Sequence, residues 1–164
     1  MIKVKESELG KAGSEGMDEF IRVFTNEYEK VMADSFAMEG LNASQHTLLA
    51  YHYFLAQIVE GGFCQLIQNG YGPYIFDNPF AKVMRLWGLK DFSKMIYKAK
   101  TIYDEHKVDL MKDRTEEEFM AMYEEYEAFD EIEEEFSESE EMITMLIATY
   151  VEEHMDEFAE VIKE

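Results

Sequence analysis

Thr115-Glu116-Glu117-Glu118-Phe119-Met120-Ala121-Met122-Tyr123-Glu124-Glu125-Tyr126 opens a stretch that runs to Glu160 without a single lysine or arginine. Its 46 residues hold nineteen acids, among them the dense run Asp130-Glu131-Ile132-Glu133-Glu134-Glu135. A disordered acidic tail would lack regular apolar positions. Here Phe119, Met122, Tyr123 and Tyr126 recur at helical spacing, and so do Ile143, Ile147, Tyr150, Val151, His154, Phe158 and Ile162. Thr115-Glu116-Glu117-Glu118 has the form of a capping box, a short hydroxyl side chain with a glutamate three residues on, and Ser137-Glu138-Ser139-Glu140 repeats it. The spacing predicts helices over 115–128 and 137–162, joined by an irregular acidic patch at 130–135.

Working outward, Met17, Phe20, Ile21, Phe24, Tyr28, Val31 and Met32 form one stripe and predict a helix over 14–37, with Gly40 as its stop. Asn42-Ala43-Ser44-Gln45 is another capping box. The helix it opens, 43–60, is apolar around much of its circumference, as a central core helix would be. Gly61-Gly62 ends or sharply bends it, a short helix resumes over 63–68, and Asn69-Gly70 breaks that in turn. Tyr71-Gly72-Pro73-Tyr74-Ile75-Phe76 reads as an aromatic loop. Pro79 and Gly88 bracket a helix over 79–87, and Asp91 caps one over 92–106. The fold expected is all-α, a single compact domain of six or seven helices over 14–164. A charged N-terminal arm or short edge strand over 1–13 precedes it.

Charge is divided unevenly. Residues 1–100 carry twelve acids against eleven bases, and residues 101–164 carry 24 against four, which accounts for the net charge of −21. With a pI near 4.4 the chain repels nucleic acid and anionic membranes and attracts basic proteins. Cys64 is the lone cysteine, so no intrachain disulfide framework exists. Neither a signal peptide nor an apolar run near the ~18 residues of a membrane span is visible. A soluble, cytoplasmic protein is the expectation.

Catalytic and metal-binding patterns are missing. None of His46, His52, His106 and His154 has a glutamate three residues before it, so the carboxylate–histidine pairs of helical metal bundles do not occur. Zinc-type cysteine pairs, calcium loops and phosphate-cradling glycine motifs are absent as well. Cys64 lies among Phe63, Leu66 and Ile67, which favours a buried structural thiol over a nucleophile. The reading is a non-enzyme without cofactor or metal.

What the acidic helices do offer is an array. One acid per about 2.4 residues is one charge per roughly 3.6 Å of helix, close to the ~3.4 Å between phosphates along one DNA strand. Glu152, Asp156 and Glu160 would share one face of the last helix. The candidate contact residues are Glu117, Glu118, Glu124, Glu125, Glu131, Glu133, Glu134, Glu135, Glu138 and Glu141.

At Gln57-Ile58-Val59-Glu60-Gly61-Gly62-Phe63-Cys64-Gln65, with Asn69 following, the sequence resembles the DNA-mimic protein family of small acidic helical domains. The similarity continues through Gly88 and Ala99 to Phe129-Asp130-x-Ile132 with Phe136, then Tyr150, His154 and Phe158, covering about 41–160. The resemblance implies an all-helical homodimer. It also implies a role in transcription regulation, in which acidic side chains imitate duplex phosphates and occupy the DNA-binding face of a helix-turn-helix repressor. Gly61, Gly62, Phe63, Gln65 and Asn69 read physically as a helix junction. The expected partner is thus a basic DNA-binding protein, of repressor or nucleoid type. The alternative is a helical adaptor or immunity-type inhibitor docking through the aromatic loop 71–76.

Overall fold

In a computed structural model, which describes residues 2–34 and 40–163, the chain runs β1 (Lys3–Lys5), α1 (Glu6–Glu15), α2 (Met17–Asp34), α3 (Ala43–Gln68), α4 (Gly72–Phe76), α5 (Phe80–Leu86), α6 (Lys90–Met111), α7 (Glu116–Glu125), α8 (Ala128–Glu153), α9 (Met155–Phe158) and β2 (Glu160–Ile162). The fold is all-α with one short parallel pairing, β1 with β2, in which Lys3 faces Glu160 and Lys5 faces Ile162. The short helices α1, α4 and α9 account for the excess over the six or seven expected. The stretch 1–13 supplies the expected edge strand, but most of the remainder is helix α1, and the break before α2 falls at Gly16. The predicted end of the first helix at Ala37 lies outside the described residues. Among the described residues no helix is long and apolar enough to cross a membrane.

The chain divides into two compact units, one of residues 2–52 and 141–163 and one of residues 53–140. In the first, the Asn42 box forms as expected: the Gln45 N–H donates to Asn42 Oδ1 at 2.8 Å, and the Asn42 N–H to Gln45 Oε1 at 2.9 Å. Ile21, Phe24, Tyr28, Leu48, Leu49, Ile143, Ile147, Val151 and Phe158 are buried there. Their polar neighbours are satisfied. The Tyr28 hydroxyl and Gln45 Nε2 both donate to the Phe158 carbonyl, at 2.8 and 3.0 Å, and Tyr51 shares a buried 2.6 Å bond with Thr144. His154 is half-buried, bonded to the Tyr150 carbonyl at 2.8 Å and stacked on the Tyr150 ring.

The helix expected to continue to Ile162 stops at Glu153. His154 leaves helical geometry (φ −129, ψ 38), α9 adds one turn, and Glu160-Val161-Ile162 turns into β2. Glu152, Asp156 and Glu160 therefore do not share a helix face. A three-residue strand carries no periodicity of its own; it exists because β1 supplies its hydrogen-bonding partner.

In the second unit an aromatic cluster sits among buried aliphatic side chains such as Leu66, Ile67, Leu89, Ile96 and Leu110. Phe54 meets Phe92 at 5.4 Å and Phe136 at 5.1 Å, both edge to face, and Phe63 stacks on Phe129 at 5.1 Å. Such pairs contribute ~0.5–1.5 kcal/mol each beyond area burial. The aromatic segment 71–76 is a helical turn whose Ile75 and Phe76 point into this core, with Phe76 4.7 Å from the Tyr103 ring. That leaves little of it for docking. Gly88 takes φ 95 and stops α5 as predicted, whereas α6 bends at His106 and runs on to bury Leu110.

Candidate partner-binding surface

The acidic patch at 130–135 is helical, not irregular, and Ser137-Glu138-Ser139-Glu140 is the interior of α8, not its start. Phe129, Ile132 and Phe136 sit at i, i+3 and i+7 and are buried, so the stripe that closes on the core begins at the patch itself. No glycine or proline follows Gly88 to interrupt it. A serine in a helix interior costs only a few tenths of a kcal/mol, far less than giving up three buried apolar side chains.

The Thr115 box that starts α7 forms in full. The Glu118 N–H donates to Thr115 Oγ1 at 3.2 Å, and the Thr115 N–H donates to the Glu118 carboxylate at 3.0 Å. That backbone bond holds the Glu118 carboxyl below its ordinary pKa. Just before the box, Arg114 is 3% exposed and pairs with Asp109 at 2.9 Å. The Tyr126 hydroxyl donates to the same Asp109 carboxylate, which, with Lys112, holds it far below the carboxylate range.

The double glycine is the joint on which α7 and α8 rest. Gly62 takes φ 72, ψ −166 and bends α3 without ending it. The bend frees two backbone groups, and each acidic helix takes one: the Tyr123 hydroxyl donates to the Gly61 carbonyl at 2.8 Å, and the Phe63 N–H donates to the Glu133 carboxylate at 2.7 Å. Gln57 Oε1 accepts from Gln65 at 3.2 Å and from Asn69 at 2.8 Å, tying the two sides of the bend together. Gly61, Gly62, Phe63, Gln65 and Asn69 each take part in the bend or in the bonds made across it.

The ten candidate glutamates divide by what they touch. Glu117, Glu124, Glu131, Glu134 and Glu138 are exposed and, among the described residues, pair with no base. Glu118 is exposed but spent on its cap. Glu125 lies 3.9 Å from the buried Arg114 side chain, which Asp109 already holds at 2.9 Å, and Glu135 lies 3.8 Å from Lys98, an exposed pair worth little. Glu133 is half-buried at the joint, and burial, with the Asp130 charge adding to it, raises its pKa despite the bond from Phe63. Glu141 is exposed in the other unit. Glu116, Glu127 and Asp130 are as exposed as the best of these and absent from the ten. Knowing that α8 begins at Ala128 would have brought Asp130 in. Residues 130–140 hold seven acids on about 15 Å of helix. That is one per roughly 2 Å, between the ~3.4 Å of one DNA strand and the ~1.7 Å of both.

Residues 39–154 match the family described as DMP19-like protein. The chain belongs to the DMP19-like family. Over 127 residues, 76% of each chain, it is 34% identical to the DNA mimic protein DMP19 of Neisseria meningitidis serogroup B, strain ATCC BAA-335 / MC58. The DMP19-like match spans the bent α3, the capped α7 and α8, so the joint and the acidic helices both fall inside it. Cys64 is buried, and desolvation pushes its thiol up to about 12, away from the reactive thiolate. Among the described residues no three His, Cys, Asp or Glu side chains converge as a metal site.

Proposed function

We propose that this chain presents DNA-like rows of carboxylates to a basic DNA-binding protein, of helix-turn-helix repressor or nucleoid type, and competes with DNA for it. The observation that carries the reading is the set of exposed, unpaired carboxylates at Glu117, Glu124, Glu131, Glu134 and Glu138, on helices pinned to the bend of α3. They lie in the part of the chain matched by a family with a DNA mimic among its members. Because no lysine or arginine interrupts residues 115–160, and Arg114 and Lys98 reach Glu125 and Glu135 from outside, the field there is dominated by negative charge and favours encounter with a basic partner. In this reading the protein is a cytoplasmic regulator of transcription that acts as a homodimer. It needs no cofactor, performs no catalysis, and contacts neither nucleic acid nor membrane directly.

The test is a low-salt pull-down from the source cell with the full chain as bait, followed by elution with duplex DNA. A DNA-binding protein should be retained, released by DNA, and lost steeply as salt rises. Changing Glu117, Glu124, Glu131 and Glu134 together to glutamine should flatten the salt dependence. Retention of no DNA-binding protein, or one that DNA does not displace, overturns the reading.

A further inference from the structure

Within the second unit a groove of about 600 Å³ lies between α3 and α8. Ile58 and Phe136, both nearly buried, form its floor, Val59 stands at its mouth 72% exposed, and Glu134 and Glu140 supply carboxylates along the α8 side, next to Glu133, which holds the Phe63 N–H. No base lines it. What distinguishes Val59 from the chain's other exposed apolar side chains is its place over an apolar floor beside carboxylates, where its methyls gain by being covered. An apolar group between anions is what duplex DNA offers where a thymine methyl projects into the major groove, and DNA-reading helices place apolar side chains against it.

We propose that this groove receives an apolar side chain flanked by lysine or arginine on the DNA-reading helix of the partner. The carboxylates then stand for phosphates and Val59 for the methyl between them. The inference rests on the function proposed above and adds that recognition reads an apolar group as well as charge. Lysine and arginine stems, themselves aliphatic, complete the cover over Val59 while their heads reach Glu134.

Two synthetic helical peptides of equal lysine content test it, one carrying leucines at helical spacing among the lysines and one carrying serines there. Each is titrated into the full chain, and into Val59→Ser, across a range of salt. Val59 is exposed, so V59S keeps its fold, which circular dichroism checks. Both peptides should bind the parent with steep salt dependence. The leucine peptide should bind about tenfold tighter, the scale of one buried branched side chain, and V59S should erase that margin. Equal binding of the two peptides, or a margin that survives V59S, overturns the groove inference while leaving the carboxylate reading intact. Absence of binding by both peptides at low salt overturns the two together.

Discussion

Replacing Gly62 by alanine tests the joint under the acidic helices most directly. At φ 72, ψ −166 the backbone lies where only glycine goes readily, and a side-chain-bearing residue there costs on the order of 1–3 kcal/mol. The new Cβ would also collide with the Glu133 carboxylate, 2.7 Å from its carboxyl carbon. Glu133 must then swing away, and the Phe63 N–H loses its charged acceptor, a bond worth about 1.5–3 kcal/mol. Together the loss comes to roughly 3–6 kcal/mol, a large share of the ~5–15 kcal/mol that holds a typical domain. Urea denaturation followed by circular dichroism would read it as a fall in midpoint. Gly70→Ala is the natural control: φ there is 89, and the added Cβ meets nothing within 4 Å, so it carries strain without collision. G62A should exceed G70A by the Glu133 share. A loss below about 1 kcal/mol for G62A, or equal losses for the two, would refute this account of the joint.

The same carboxylate sets a pH dependence. Because burial holds the Glu133 pKa above its ordinary 4.5, the folded chain binds that proton more tightly than the unfolded chain, and its contribution to stability declines as pH rises from the unfolded to the folded value. Glu133→Gln should remove the decline, so the stability of E133Q relative to the parent should rise between acid and neutral pH; a constant difference would count against it. Thr115→Ala removes the hydroxyl half of the α7 box and should cost about 1 kcal/mol, seen as a lower urea midpoint, with Thr115→Ser restoring most of it. The Cys64 thiol, buried and raised to about 12, should react with a disulfide reagent at neutral pH only after denaturation, and prompt reaction of the native chain would contradict its placement.

Much of this fold was legible because its signals are local. The boxes at Asn42 and Thr115 each involve residues three apart, and both form as read. Gly70 and Gly88 take positive φ where breaks were expected. What could not be read depends on distant partners. Ser137-Glu138-Ser139-Glu140 satisfies the box pattern, yet Phe129, Ile132 and Phe136 find the aromatic cluster and carry α8 through it. The short edge strand expected within 1–13 forms as β1, but β2 acquires its identity only from β1, distant in sequence. The density of acids points to the exposed residues on α7 and α8, and the box pattern to the cap made by Glu118. The work of Glu133 is not local: it turns on the Phe63 N–H, seventy residues away in sequence.

The pairing of β1 with β2 has a consequence for how the protein is made. Lys3 leaves the ribosome 157 residues ahead of its partner Glu160, so the strand waits on the order of ten to thirty seconds of translation for its mate. Residues 53–140, by contrast, are adjacent in sequence and find all their partners within one continuous length of nascent chain. The joint at Gly62 can therefore be set before synthesis finishes. The edge of β1 stays open until β2 emerges, and its flanking lysines, Lys3 and Lys5, are the kind of residue that keeps an unmated edge from pairing with a stranger.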